Sequence, residues 1–198
     1  MNTETRGVVL CGVGGQGVVL LSDIFTEGLM EYGYDVKKSE QHGMSQRNGS
    51  VNAQIKFGKT VYAPVLSRCS ADAIVAFEKA EALRWLSYLK KGGCLIVNDL
   101  EIAPIEVQLG KESYPENLSD RLRAEVPGTI LIRAIDMAAS LGTTRAQSML
   151  LLGILVKKLE LMGYDWEAKV MAKVPKRYVD ANIAALRLGL DIADTKEA

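Results

Sequence analysis

The chain has 198 residues, which is enough for one substantial α/β domain and too few for two large ones. Its 24 Lys and Arg balance its 24 Asp and Glu, which argues against a nucleic-acid-binding protein with a net basic face. No stretch reaches the ~18 consecutive apolar residues of a membrane span, and the polar start "MNTETRG" is unlike a signal peptide, so we expect a soluble, cytoplasmic protein without a membrane partner.

The three cysteines, Cys11, Cys69 and Cys94, are spread along the chain, and none forms a C-x-x-C pair. This spacing indicates neither a zinc site nor an iron–sulfur cluster within the chain, and we expect no bound metal. Each cysteine lies in or beside an apolar run, which favours a small buried thiol.

The first elements predict the opening unit of a doubly wound fold. The run "GVVLCG" (7–12) is typical of a buried parallel strand. Apolar residues then recur every three or four positions from Val18 to Tyr32, which predicts an amphipathic helix that ends at Gly33. With "YDVKKSE" (34–40) as a second strand, the order is strand, glycine turn, helix, strand.

The next two runs predict an insertion. The stretch "SVNAQIKFG" (50–58) alternates apolar and polar residues, and "TVYAPVL" (60–66) follows directly. We expect these runs to form an antiparallel hairpin where a crossover helix would otherwise lie. Pro64 cannot donate to a ladder, so the second run should lie at an edge.

The remaining chain predicts further strands and a helical tail. Strands are expected at "ADAIVAF" (71–77), "GGCLIVND" (92–99) and "TILIRAI" (129–135), and a helix at about 79–89. The proline-containing stretch 101–128 should be irregular and peripheral. From about 145 to 198 the chain should be helical, with helices at about 145–162, 166–173 and 176–193.

These elements predict one α/β domain over residues 1–198, with a Rossmann-like, mostly parallel sheet, an inserted β-hairpin and a helical C-terminal region. The run from Met149 to Val156 is apolar on nearly every side. Such a helix must be covered all round, either inside this domain or by another subunit.

The letters from Gly12 to Gly17 read G-x-G-x-x-G between the first strand and the first helix. In this context the glycines allow a tight turn, close approach of a phosphate and close helix–strand packing. Free N–H groups and the dipole at the helix start favour an anion, and Gly15 and the amide of Gln16 add to the turn. The alternative is a structural turn without a ligand.

The second strand argues against NAD as the anion. An acidic residue should follow the motif by about 20 residues to bind the ribose diol. Here Lys37 and Lys38 precede Glu40, and lysines suit a further phosphate better than a diol. NADP or a coenzyme A-like ligand is therefore at least as well supported, with a solvated strand end as the alternative.

The stretch "SEQHGMSQRNGSV" (39–51) concentrates polar groups at the carboxyl end of a strand, where open sheets bind ligands. Arg47 could clamp a phosphate or carboxylate, and His42 could donate a hydrogen bond or move a proton. His42 could equally fix the loop. No nucleophile motif accompanies it, so we assign no catalytic residue to the chain alone.

With both stretches in view, the sequence resembles the gamma-type domain of the 2-oxoacid:ferredoxin oxidoreductases, most closely the beta subunit of the indolepyruvate branch. The resemblance rests on "GVGGQGVVLLSDIF", "GYDVKKSEQHGMSQRNGSV", "ADAIVAFEKAEALR", "GGCLIVND" and "LGTTRAQSMLLLG". The segment "EQHGMSQRNGSV" is its most specific part, because many folds share the glycine turn.

The resemblance implies a subunit of an enzyme that decarboxylates 2-oxoacids, here indolepyruvate and other arylpyruvates, with coenzyme A as cosubstrate and ferredoxin as electron acceptor. It implies that thiamine diphosphate, Mg and [4Fe-4S] clusters lie on a large alpha subunit, and that this chain is inactive alone. The chain's own lack of C-x-x-C and G-D-G motifs agrees with this.

Carried onto this sequence, the resemblance implies a coenzyme A-holding turn and a loop that faces the ligand or the partner. The cofactor-binding residues expected are Gly12, Gly14, Gly15, Gln16, Gly17, Lys37, Lys38, Gln46 and Arg47, with His42 and Arg47 as candidate contributors to the active-site cleft. Ser148 and Asn48 depart from the family's usual asparagine and glycine, which leaves the aryl substrate open.

Two other functions stay open at this point. The glycine turn alone would suit a stand-alone NAD(P)-binding oxidoreductase, although no Tyr-x-x-x-Lys constellation for hydride transfer accompanies it. The chain could also be a purely structural assembly subunit whose turn meets no ligand.

Overall fold

The computed structural model describes residues 4–43 and 49–195, and it builds them around a six-stranded sheet. The strands are β1 (Arg6–Val13), β2 (Asp35–His42), β3 (Ser50–Gly58), β4 (Ala71–Ala76), β5 (Leu89–Asn98) and β6 (Ile130–Ile132). Their order is β2-β3-β1-β4-β5-β6, and only β3 runs against the others. The predicted Rossmann-like, mostly parallel sheet is confirmed.

Helices cover both faces of this sheet. They are α1 (Val18–Glu31), α2 (Lys79–Trp85), α3 (Ile105–Gln108), α4 (Leu118–Glu125), α5 (Ala134–Ser140), α6 (Gln147–Lys158), α7 (Trp166–Lys173) and α8 (Val179–Asp194). Buried residues of α1, α5, α6, α7 and α8 form one core with one face of the sheet, and those of α2 and α4 form the other. Within the described residues, no helix combines the length and apolarity needed to cross a membrane.

The inserted hairpin has a different partner from the one expected. β3 pairs with β2, from Asp35↔Gly58 to His42↔Val51, and lies between β2 and β1. The run 60–66 forms no strand, because side chains take its backbone donors instead. Asp35 Oδ2 accepts from the N–H of Val61 (2.8 Å), and Gln54 Oε1 accepts from that of Leu66 (2.8 Å).

The stretch 101–128 is more ordered than predicted, since it contains α3 and α4. Its prolines were interpreted as breakers, but Pro104 directly precedes α3, where proline is well tolerated at a helix start. Leu118 and Leu122 lie one turn apart and bury the inner side of α4. The predicted strand 129–135 is also shorter, because α5 begins at Ala134.

The cysteines differ in burial. Cys11 is buried, and burial raises the pKa of its thiol well above the ordinary value. Cys94 is partly buried, and burial raises its pKa to about 11. The expectation was wrong for Cys69, which is exposed in a left-handed backbone conformation with φ 57°.

The apolar helix α6 is covered within this chain. Its residues Gln147 to Val156 are buried between the sheet and α8, which confirms the core-helix interpretation. The two helices touch backbone to backbone at a pair of glycines. A Cβ on Gly189 would overlap the carbonyl oxygen of Leu150, and one on Gly153 would overlap that of Leu186.

Buried side-chain amides join the carboxyl ends of the strands. Asn98, at the end of β5 and fully buried, accepts from the N–H of Ala134 (2.8 Å) and donates to the carbonyl of Phe77 (3.2 Å). Its Nδ2 also lies 3.4 Å from Oε1 of Gln147, whose Nε2 donates to the carbonyl of Gln16 (3.2 Å). This amide network connects β4, β5, α5 and α6 to the glycine turn.

We expect Gly189→Ala to destabilise the protein. Helix propensity alone favours alanine by about 1 kcal/mol, but overlap with Leu150 should force the helices apart at a cost of about 2–3 kcal/mol. Urea unfolding should therefore show a net loss, whereas Asp191→Ala on the exposed side of α8 should stay within about 0.5 kcal/mol of the parent. A stabilised Gly189→Ala variant would contradict the close packing.

We expect Asn98→Ala to lower the free energy of unfolding by about 2–4 kcal/mol. The substitution leaves the N–H of Ala134, at the start of α5, and Oε1 of Gln147, at the start of α6, without this buried hydrogen-bond partner. Gln108→Ala is the control, because that exposed amide makes one hydrogen bond, to Ala103. Equal effects of the two substitutions in urea unfolding would show that the network contributes nothing special.

Candidate functional site

A cleft of about 520 Å³ opens at the carboxyl ends of the parallel strands. One wall is the glycine turn, Gly14 to Gly17, and a second is the segment that enters α6, with Thr144, Arg145 and Ser148. A third wall is aliphatic and contains Leu100, Ile102 and Ile135. The cleft therefore presents polar and apolar sides to the same space.

The backbone of the turn is held in a shape that only glycine adopts easily. Gly15 and Gly17 have φ of 89° and 96°, in the left-handed region. The N–H of Gly14 donates to the carbonyl of Gly49 (2.9 Å), which fixes the turn against the start of β3. Among the residues that the structure describes, no neighbouring atom lies within 4 Å of a Cβ placed on Gly15, which leaves the turn open to them at that residue.

The start of α1 at this turn is uncapped. Gly17 is the N-cap and supplies no side-chain hydrogen bond, and the first turn contains no acidic residue. The first intrahelical bond runs from Leu21 N to Gly17 O, so the N–H groups of Val18, Val19 and Leu20 have no partner in the helical ladder. Such groups, together with the helix dipole, attract an anion.

Two of the expected ligand-binding residues, Gln16 and Gly12, support the turn from inside the protein. Gln16 Oε1 accepts from the N–H of Val13 (2.7 Å), and its Nε2 donates to the carbonyl of Phe77 (3.0 Å). The side-chain amide is therefore not free for a ligand, contrary to expectation, and instead fixes the turn. Gly12 is needed for packing, since a Cβ there would lie 2.7 Å from Gln16 Oε1 and 2.8 Å from Phe77 Cβ.

Lys37 and Lys38 do not join the cleft. Lys37 pairs with Asp35 (2.7 Å), and Lys38 pairs with Asp23 on α1 and with Glu40 (2.7 Å). Both lysines therefore have carboxylate partners in the free chain, and their binding of a further phosphate stays a prediction. Two of these pairs, Lys37–Asp35 and Lys38–Glu40, join residues two apart on β2, and only the Lys38–Asp23 pair depends on the packing of α1 against β2.

The polar loop begins and ends beside the turn. Gly43 N donates to Ser50 O (2.8 Å), and Gly49 contacts Gly14 as described above. His42 is exposed at the end of β2 and does not line the cleft. Two of the expected ligand residues, Gln46 and Arg47, lie outside the described residues.

The arrangement of strands disfavours a dinucleotide. In a dinucleotide-binding fold the acidic residue that binds the ribose lies on the strand next to β1. Here β3 lies between β1 and β2, so Glu40 of β2 is about two strand spacings, roughly 10 Å, from β1. Glu40 is also engaged, since it accepts from Ser22 Oγ (2.7 Å) and pairs with Lys38. Burial acts to raise the pKa of Glu40, but these two partners outweigh it and hold the pKa below its ordinary value.

The segment 143–148 is the part of the site that residue-by-residue reasoning missed. From the sequence alone only Ser148 stands out in this segment, as a departure from the family's usual asparagine, although a cation such as Arg145 just before an apolar helix is a visible signal. The guanidinium of Arg145 forms no ion pair with any carboxylate whose side chain the structure describes. The described residues contain no group of three or more His, Cys, Asp or Glu side chains arranged for a metal ion.

Comparison with known proteins agrees with this fold. The gamma subunit of a keto/oxoacid ferredoxin oxidoreductase from Geobacter sulfurreducens superimposes with a TM-score of 0.66 at 22% identity, over 95% of this chain and 98% of that one. A 2-oxoglutarate:ferredoxin oxidoreductase from Magnetococcus marinus, solved with 2-oxoglutarate, coenzyme A and succinyl-CoA bound, gives 0.72 at 17% identity, over 98% of this chain and 32% of that one.

Sequence comparison is more specific. The indolepyruvate oxidoreductase subunit IorB of Pyrococcus horikoshii is 35% identical over 191 residues, which are 94% of this chain and 95% of that protein. The family model described as pyruvate ferredoxin/flavodoxin oxidoreductase matches residues 7–192. These matches confirm the resemblance noted in the sequence, and the chain belongs to the pyruvate ferredoxin/flavodoxin oxidoreductase family.

Proposed function

We propose that this chain is the subunit of an indolepyruvate:ferredoxin oxidoreductase that does not bind thiamine. The complex would convert indolepyruvate or a related arylpyruvate, with coenzyme A, into an aryl-acetyl-CoA, CO2 and two electrons for ferredoxin. The support is the 35% identity to an indolepyruvate oxidoreductase subunit over nearly the whole of both chains.

The redox chemistry would belong to a partner. Thiamine diphosphate with Mg, and [4Fe-4S] clusters, would lie on a large alpha subunit and supply carbon–carbon cleavage and electron transfer to ferredoxin. This chain would add a binding surface for the carrier that accepts the acyl group, and it would be inactive alone.

The open glycine turn is the observation that carries the assignment of coenzyme A to this chain. A diphosphate needs several N–H donors and room for its oxygens, and the turn offers the uncapped start of α1 beside a glycine with free space around it. Gly15 and Gly17 would bind the diphosphate through their backbone, with Gly14, whose N–H is bonded to Gly49, and Gln16 holding the turn in shape. Gln46 and Arg47, which lie outside the described residues, stay predicted ligand-binding residues.

The assembled activity is the first test. We expect the chain, co-produced with the proposed large subunit, to reduce viologen with indolepyruvate only when both subunits and coenzyme A are present. A panel of aryl and aliphatic 2-oxoacids would define the substrate. Nicotinamide reduction by the isolated chain, or activity of the large subunit alone that this chain does not change, would contradict the proposal.

The turn itself can be tested with Gly15→Ala. The Cβ would enter the space where a phosphate approaches, and loss of one charge-assisted hydrogen bond should raise the KM for coenzyme A about tenfold. The matched control is Gly92→Ala. Gly92 has a similar φ of 77° and no described neighbour within 4 Å of an added Cβ, but it lies near the amino end of β5, away from the carboxyl ends where the cleft opens. Equal changes in the two variants would mean that backbone strain alone is responsible.

A further inference from the structure

The segment before α6 is fixed directly against the glycine turn. Residues 144–146 form a 3-10 turn, and Thr143 Oγ1 accepts from the N–H of Arg145 (3.3 Å). Ser148 Oγ donates to the carbonyl of Arg145 (3.3 Å) and would lie 3.2 Å from a Cβ on Gly17. The backbone of Arg145 is therefore tied to a residue that touches the start of α1.

The side chain of Arg145 is exposed, lines the cleft and has no carboxylate partner in the described parts of the chain. Some other basic residues in the described parts of the chain do have carboxylate partners. Lys79, for example, pairs with Asp99 (2.7 Å) and Glu101 (2.8 Å), and Lys38 pairs with two carboxylates. This guanidinium lines the same cleft as the uncapped start of α1, so the cleft offers anions two kinds of donor, backbone N–H groups and a cationic side chain.

Coenzyme A carries two separated anionic groups, a diphosphate and a phosphate on the ribose of its adenosine. The backbone donors of the turn suit the diphosphate, which has no need of a particular side chain. A guanidinium suits the terminal phosphate, because its planar fork can donate two parallel hydrogen bonds to it. The aliphatic wall of Leu100, Ile102 and Ile135 would take the adenine.

We propose that Arg145 is a specificity-determining residue that binds the phosphate on the adenosine ribose and thereby selects coenzyme A over its 3′-dephospho form. This inference rests on the proposed function, since it assumes that the cleft receives coenzyme A. The shared chemistry is a phosphomonoester on ribose, in the 3′ position of coenzyme A or the 2′ position of NADP.

The test measures dissociation constants by calorimetry on the assembled complex without 2-oxoacid, for coenzyme A, 3′-dephospho-coenzyme A, NAD and NADP. The variants are Arg145→Gln, Arg145→Lys and, as the matched control, Arg121→Gln. Arg121 is an exposed arginine of α4 that lies outside the cleft. Its substitution removes the same charge without changing the cleft. KM values for the two coenzyme A forms are measured on the same preparations.

We expect the parent complex to bind coenzyme A about tenfold more tightly than the dephospho form, since screening at an exposed site limits the gain. Arg145→Gln should reduce that ratio to below about twofold by weakening coenzyme A alone, Arg145→Lys should restore part of it, and Arg121→Gln should leave it unchanged. The ratio is insensitive to general loss of folding or assembly, and Arg145→Lys provides the reading if Arg145→Gln does not assemble.

The failure of each idea gives a different result. If the parent complex binds neither form of coenzyme A, the proposed function is wrong. If it binds coenzyme A but does not distinguish the dephospho form, or if Arg145→Gln keeps the parent ratio, the role of Arg145 is wrong. Preference for NADP over NAD without binding of coenzyme A would assign the ribose phosphate to a nicotinamide carrier and overturn both.

Discussion

The site depends on hydrogen bonds that converge on the carbonyl of Phe77, just after β4. Gln16 and Asn98 both donate to this oxygen, at 3.0 and 3.2 Å, and Gln147 links the two by binding the backbone of one and the side chain of the other. These amides join the carboxyl ends of the parallel strands β1, β4 and β5 to the starts of α5 and α6. Because these groups are buried, losing any partner would leave a desolvated donor or acceptor. This cost holds the turn in one shape.

This constraint separates structure from binding within a single motif. Gly12 packs against Phe77 and Gln16, and the Gln16 side chain is hydrogen-bonded to the backbone beneath the turn. Gly15 and Gly17, by contrast, leave the start of α1 uncapped. The same division holds for the basic residues, since Lys38 pairs with two carboxylates whereas Arg145 has no carboxylate partner among the described side chains. A glycine motif therefore does not mean that every residue in it meets the ligand.

Local patterns in the sequence were enough to predict β1, the turn and α1, because each depends on neighbours a few residues away, whereas for α6 they predicted that the helix is covered but not by what. The pairing of β3 with β2 was not predictable in this way, since the run 60–66 has strand-like composition and only the contacts of Asp35 and Gln54 divert its backbone. The pairing of Lys38 with Asp23 and the position of Arg145 likewise depend on long-range packing. The resemblance identified the family, and the fold identified which residues share the cleft.

The most direct measurement is a structure of the complete complex with coenzyme A bound. The account predicts diphosphate oxygens within about 3.2 Å of the backbone N–H groups of Gly15 or Gly17 and the first residues of α1, with the ribose phosphate at Arg145. A structure in which coenzyme A binds elsewhere while a partner side chain fills the turn would contradict it.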